Sequence, residues 1–315
     1  MQRRLAELDA SIDRYLTEMD AADVTEPAST MRVTQLQDRI ALLKAQMAQL
    51  RAIEAEMQRS PDTQISLTDP DARSMNSRGS GTVGYNVQAA VDADHHLIVA
   101  HEVVTTGSDR AQLAGMAEQA RDAFGTEKIT VVADRGYFSG RQILACEDAE
   151  ITAYVPKPLT SQAKFAGRSD KSVFVYDVNL DCYRCPAGEE LTYRFTTTEA
   201  QMDIRCYMTG ACGACAVKSQ CTTSPQRRIR RWEHEAVLER MEERLNARPD
   251  MMQIRRQTVE HVFGTLKSWM GSTHFLTRTL DKVAAEMSLQ LLAYNFKRVL
   301  KIIGVQSLTM AIHAA

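Results

Sequence analysis

Val131-Val132-Ala133-Asp134-Arg135-Gly136-Tyr137 is an apolar, β-branched run closed by an aspartate and then a glycine. Strands of a parallel sheet are buried on both faces and read as continuous apolar runs, so the segment predicts such a strand with Asp134 exposed at its carboxyl end. A helical pattern follows from about Ser139 to Glu147. These features commit the chain to an α/β fold, in which ligands bind in the crevice beyond the strand carboxyl ends. An aspartate at that place also serves as a turn former or a helix cap, so Asp134 alone does not specify chemistry.

A second acid narrows the reading. Arg255-Arg256-Gln257-Thr258-Val259-Glu260-His261-Val262-Phe263-Gly264-Thr265-Leu266-Lys267 reads as one helix. Arg256 and Glu260 are four apart, and Glu260 and Lys267 seven apart, so the three share a face. One acid flanked by two cations can hold a metal ion beside a phosphate, the acid on the metal and the cations on the backbone. An isolated R-x3-E is also what a solvated salt-bridge face looks like. With a strand-end Asp134 in the same chain, the pair suggests two carboxylates, Asp134 and Glu260, converging on Mg²⁺ (or Mn²⁺) for phosphoryl transfer.

Composition sets bounds. Hydrophobic content of 44% and charged content of 25% over 315 residues fit an ordinary protein with two or three cored substructures. No apolar stretch reaches about 18 residues, so no membrane span is expected. The charged, periodic start Met1-Gln2-Arg3-Arg4-Leu5-Ala6-Glu7 is unlike a signal peptide. A cytoplasmic, nucleoid-associated location is therefore expected. A net charge of −2 sits poorly with DNA binding, which wants a basic footprint. The charge is uneven, however: Pro225 to Lys301 holds 15 Lys and Arg against 9 Asp and Glu, a net +6, densest at Arg227-Arg228-Ile229-Arg230-Arg231-Trp232.

Residues 1–58 carry two heptad seams, Leu5, Leu8, Ile12, Tyr15, Met19 and Leu36, Ile40, Leu43, Met47, Leu50. An antiparallel helical hairpin is the simplest structure, acting as a spacer, with oligomerisation as the alternative. Residues 59–82, rich in Ser, Asp, Pro and Gly, read as a linker. Residues 83–155 then give β-β-α-β-α-β: a hairpin over Val83–Val91 and Leu97–Val104 with His95 and His96 at its turn, a helix from Asp109 as N-cap to about Phe124, strand 129–133, helix 139–147 and strand 151–155. Residues 156–225 interrupt this order with short alternating runs, a small Cys-rich β insertion. It carries Cys182-x2-Cys185, Cys206, Cys212-x2-Cys215 and Cys221. Two Cys-x2-Cys pairs in a chain that reads as cytosolic point to structural Zn²⁺ on Cys182, Cys185, Cys212 and Cys215, with Cys206 and Cys221 as alternatives. Disulfides are the competing reading, and the compartment argues against them. Cys146 lies in the apolar pattern of a helix and reads as buried. Residues 226–303 hold three helices, the middle one carrying Glu260, and 304–315 read as a tail.

These blocks, in this order, resemble DDE transposases of bacterial insertion sequences. The signature around the last acid of that group is Y-x2-R-x3-E-x6-K; Arg256, Glu260 and Lys267 match it, with Gln253 where the tyrosine would be. Ala133-Asp134-Arg135-Gly136-Tyr137 resembles the block around the second acid. Thr68–Arg73, Gly84–Asp92 and Glu286–Arg298 resemble further stretches of one subgroup, and the likeness runs from about Thr68 to Lys301. The resemblance implies a ribonuclease-H-like mixed sheet, three acids holding two Mg²⁺, and cleavage and strand transfer at DNA phosphodiesters. It further implies that Arg256 and Lys267, with the neighbouring Arg255, grip DNA at the transposon end, and that Asp109 lies near the active site. In that subgroup the first acid sits in an Asp-Gly-Thr-Lys-like strand, and no Asp-Gly-Thr or Asp-Ser-Thr occurs here. The sheet is accordingly expected to lack its first strand, with Met1 at the start of a truncated frame and the chain inactive alone. Asp69 and Asp71 read instead as a turn around Pro70, and Asp92 as a hairpin turn. The expected partners are DNA, both transposon ends and target, and a second copy or an intact transposase. A truncated regulator that binds DNA or transposase without catalysis, or a non-functional remnant, is the competing function.

Overall fold

In the computed structural model residues 2–23, 30–59, 64–77, 80–158 and 165–314 are described. The chain divides into two compact units. One takes residues 1–86, 103–107 and 276–284; the other takes 87–102, 108–275 and 285–315.

In the first unit, α1 (Gln2–Asp23) and α2 (Thr30–Arg59) pack through the two heptad seams. Leu8, Ile12, Ile40 and Met47 are buried together, with Leu5, Tyr15, Leu43 and Leu50 around them. The two seams cover one another, which is what 3-4 spacing on consecutive helices provides. The expected linker is not structureless: β1 (Arg73–Ser77) pairs antiparallel with β2 (Ser80–Gly84). Asp69 and Asp71 do more than turn the chain. Asp69 accepts the Tyr85 hydroxyl at 2.8 Å and the Thr279 amide at 3.2 Å, while Asp71 accepts the Leu280 amide at 2.8 Å. They satisfy amides that the C-terminal helix, beginning at Leu280, leaves without partners in its first turn.

The elements then follow in the order expected from the sequence, all but Asn86, Val103 and Val104 of them in the second unit: β3 (Asn86–Val91), β4 (Ile98–Val104), α3 (Leu113–Phe124), β5 (Thr130–Val132), α4 (Gly140–Asp148) and β6 (Thr152–Tyr154). β5 and β6 are parallel. The four strands do not join into one mixed sheet, however; β3–β4 and β5–β6 are separate ladders. One reason is visible at β4. The Asn295 side chain accepts from the Ile98 amide at 2.9 Å and donates to the Ile98 carbonyl at 2.8 Å, occupying main-chain groups to which a further strand would bond. Tyr294 and Arg298 on the same helix bond the carbonyls of His96 and His95, clamping the β3–β4 turn. Asp92 holds that turn by accepting the amides of Asp94 and His95.

Leu113, Ala117, Ile143, Cys146, Ala153, Val155, Val237 and Met241 form the main core, so α3, α4, β6 and the later helix over Glu235–Ala247 close on one another. Gly140 makes room for this packing: a Cβ there would lie 3.0 Å from the Trp232 indole, which rests on the start of α4.

A five-stranded antiparallel sheet follows, β7 (Val175–Asp177), β8 (Cys182–Arg184), β9 (Glu190–Glu199), β10 (Met202–Met208) and, after the single turn α5 (Lys218–Cys221), β11 (Arg228–Trp232). Its order is β11-β10-β9-β8-β7, so it reaches past the expected boundary at 225. Phe174, Tyr183, Leu191, Tyr207 and Ile229 are its core. The Asp181 carboxylate ties it together by accepting from Tyr176 and Tyr207, each at 2.7 Å, and from Arg205 at 2.5 Å. The basic cluster is largely engaged within the protein. Arg231 lies 3.8 Å over the Tyr176 ring and makes two bonds to Glu239, and Arg230 pairs with Glu199.

Three helices end the chain: α6 (Glu235–Ala247), α7 (Met251–Ser268) and α8 (Leu280–Ala314). Met287, Leu291 and Tyr294 of α8 are buried, as their stripe in the sequence implies. The expected tail is instead helical to Ala314, interrupted at Gly304, whose φ of 79° is open to glycine at little cost.

Candidate active site

The end of β5 sets the geometry. The ladder with β6 continues one residue past β5, where the Ala133 amide bonds the Tyr154 carbonyl at 3.0 Å, and then the chain turns. Asp134 is the cap of that turn: its Oδ1 accepts the Gly136 amide at 2.8 Å. The other oxygen, Oδ2, accepts Arg255 Nη2 at 2.7 Å. The capping role of a strand-end aspartate is thus present, and an ion pair stands beside it. One oxygen caps and the other faces a cation.

Arg255 comes from α7, which contacts β5. Met251, Thr258, Val262 and Leu266 are the buried stripe of that helix. Arg255, one turn after Met251, lies beside this stripe and is half-buried. Its other terminal nitrogen, Nη1, stands 4.0 Å from Glu260 Oε1. A single guanidinium thus reaches both carboxylates, Asp134 at a strand end and Glu260 on a helix, 126 positions apart in sequence. The sequence pattern had put Arg256 beside Glu260. In the structure Arg256 and Lys267 are exposed and, among the described residues, make no ion pair.

Two further side chains, Gln88 and Asp109, stand beside Asp134, the second being the aspartate expected to cap a helix. Asp109 is not an N-cap: Ser108 precedes the short turn Asp109–Ala111, and α3 starts at Leu113. The Asp109 Oδ1 accepts Gln88 Nε2 at 2.8 Å, and the Gln88 Oε1 accepts the Tyr137 hydroxyl. Gln88 is 1% exposed, the inward residue of β3, and its amide is used at both ends, as a buried amide must be. Asp109 also faces Asp134. A Cβ placed on Gly136 would lie 3.0 Å from Asp134 Oδ1 and 3.3 Å from Asp109 Oδ2, so the two carboxylates flank one point and a larger residue between them would push one aside. Burial, then the charges of Asp109 and Asp134, push the Tyr137 hydroxyl well above the usual phenol range, so Tyr137 stays a proton donor to Gln88; Arg255 opposes this.

Carboxylate oxygens are the donors that Mg²⁺ and Mn²⁺ select, so the site suits such an ion in kind. As placed, no three His, Cys, Asp or Glu side chains among the described residues stand close enough to hold one. An ion bound to Asp134 would have to compete with Arg255 for Oδ2.

The six cysteines of the insertion separate into two sets. Cys182 and Cys206 are buried in strands, while Cys185, Cys212, Cys215 and Cys221 are half-buried around one cavity. The expected set of four thus keeps three members together, and Cys221 stands where Cys182 was expected.

The family model described as Transposase DDE domain matches residues 46–296. No curated protein matches the chain, and no solved structure matches it.

Proposed function

The chain belongs to the transposase DDE-domain family, and we propose that Asp134 and Glu260 are two of the acids with which it would act on DNA phosphodiesters. The observation that carries this reading is the shared guanidinium: Arg255 reaches Asp134 at 2.7 Å and Glu260 at 4.0 Å. Two carboxylates that one cation already reaches can be bridged by another cation. The two acids would hold Mg²⁺ or Mn²⁺, which when bound supplies activation of a water or 3′-hydroxyl and stabilisation of the leaving oxygen.

The protein's own groups do the rest. Gly136 fixes Asp134 Oδ1, so the carboxylate is oriented before any ligand arrives. Gln88 and Tyr137 hold Asp109 alongside. Arg255, displaced from Asp134, is left free to meet a phosphate oxygen. Exposed Arg256 and Lys267 lie on the same helix and are assigned to the DNA backbone, where each contact adds affinity that falls with salt.

Two acids are one short of the three that the family's chemistry uses. This chain is therefore proposed to bind the cation weakly and not to cut DNA by itself. The test is a nicking assay on a labelled duplex carrying the DNA that flanks this gene, with Mg²⁺ or Mn²⁺. No cleavage by the chain alone is expected. Cleavage is expected when an Asp-Gly-Thr-containing strand segment is fused in cis, and Glu260→Gln should then abolish it. Cleavage that survives both Asp134→Asn and Glu260→Gln would refute the assignment. Cleavage by the chain alone that is lost in Asp109→Asn would overturn the two-acid reading and hand the third place to Asp109.

A further inference from the structure

Four thiols meet at one end of the five-stranded sheet. Cys185 follows β8, Cys212 lies within the turn Gly210–Ala214 that follows β10, Cys215 ends that turn, and Cys221 closes α5. All four line one cavity, together with Phe174, Leu191 and Arg227. The local backbone is shaped for this. Cys185-Pro186-Ala187-Gly188 folds back on itself, with the Gly188 amide bonded to the Cys185 carbonyl at 2.9 Å and Gly188 at a φ of 87°. The Arg227 amide points at Cys212 Sγ at 3.5 Å, and the Arg227 guanidinium donates to the Cys221 carbonyl at 3.2 Å.

This is a soft donor set in an apolar cavity with a cation at its rim. Thiolates select Zn²⁺ over harder ions, and four of them on one zinc carry a net charge of about −2 that an adjacent arginine offsets. Cys182, the sequence partner of Cys185, cannot serve without leaving its strand: it is 2% exposed and paired with Thr192 across the ladder. Cys206 is likewise held in β10, 4% exposed. As placed, no three thiols are drawn in to share an ion, so binding requires the loop thiols to close.

We propose that Cys185, Cys212, Cys215 and Cys221 bind one structural Zn²⁺, which pins the end of β8 to the segment entering β11. The site owes nothing to Asp134 or Glu260, and its test is separate from theirs. Protein purified under reducing conditions without added metal is analysed for zinc, and its thiols are mapped by alkylation and mass spectrometry before and after chelation. About one zinc per chain is expected. Cys185, Cys212, Cys215 and Cys221 should resist alkylation until the chelator is added. Cys221→Ser and Cys215→Ser should lose the metal, while Cys182→Ala keeps it. Because a core substitution at Cys182 can unfold the sheet, the wild-type alkylation pattern decides independently. Folded, zinc-free protein whose four thiols react freely or form a disulfide would overturn the proposal. So would loss of zinc in Cys182→Ala together with its retention in Cys221→Ser.

Discussion

At the scale of single residues, the site turns on a glycine between two acids. Gly136 lends its amide to Asp134 and leaves room for Asp109 on its other side. Gly136→Ala would put a methyl 3.0 Å from one carboxylate oxygen and 3.3 Å from the other. One of the two must give by a few tenths of an ångström, and Asp134, 43% exposed, is the one whose amide bond to Gly136 is at stake. The expected outcome is a folded protein, with far-ultraviolet circular dichroism unchanged, whose Mn²⁺ affinity falls severalfold by calorimetric titration. Unchanged affinity would mean that the geometry around Gly136 does not set the acid. Arg255 shows why residue identity alone misleads. Periodicity pairs Glu260 with Arg256, four positions earlier, but the rotation of α7 against the core decides which arginine faces β5. That rotation follows from the buried stripe of Met251, Thr258, Val262 and Leu266; Thr258 tolerates burial because its hydroxyl bonds the Ile254 carbonyl at 2.8 Å.

At the scale of elements, the five-stranded sheet depends on an ion. Hydrogen bonds from Tyr207 and Tyr176 and the charge of Arg205 outweigh burial and hold the Asp181 carboxyl below its ordinary range. A carboxyl lowered in the folded state contributes stability that is complete above its unfolded pKa and is lost as pH falls through the folded value. The near-ultraviolet signal of Tyr176, Tyr183 and Tyr207 should therefore hold at neutral pH and weaken as pH falls below the ordinary carboxylate range. Asp181→Asn should weaken the sheet at pH 7 and remove that part of the acid sensitivity; an unchanged acid profile would contradict the assignment. This sheet was partly legible in the sequence, because alternating runs mark β7, β9 and β10. Its last strand was missed, since Arg228-Ile229-Arg230-Arg231-Trp232 reads as a charge cluster until Arg230 and Arg231 meet Glu199 and Glu239. β1 and β2 were illegible for another reason: Arg73–Ser77 has no apolar alternation, and its order comes from pairing alone. Asp134 was legible because a strand end is a local pattern. Asp109 was read as a helix cap and placed near the site by resemblance alone, and Gln88 was not assigned, because their contacts appear only when β3 and the turn before α3 meet.

At the scale of the whole molecule, the family match spans residues 46–296, from within α2 to within α8. No helix among the described residues is long and apolar enough to cross a membrane. Net charge is −2 overall, yet Pro225 to Lys301, the stretch containing α7, carries +6. That distribution puts the basic residues in the same stretch as Glu260 and leaves the opening helices of mixed charge. The central claim is that Asp134 and Glu260 belong to one cation site. Its most direct test is a crystal of this chain soaked in millimolar Mn²⁺, with the anomalous signal located. The account predicts a peak within coordination distance of both carboxylates, with Arg255 swung away from Asp134. Absence of any peak there under saturating Mn²⁺, with Arg255 still joined to Asp134, would contradict it.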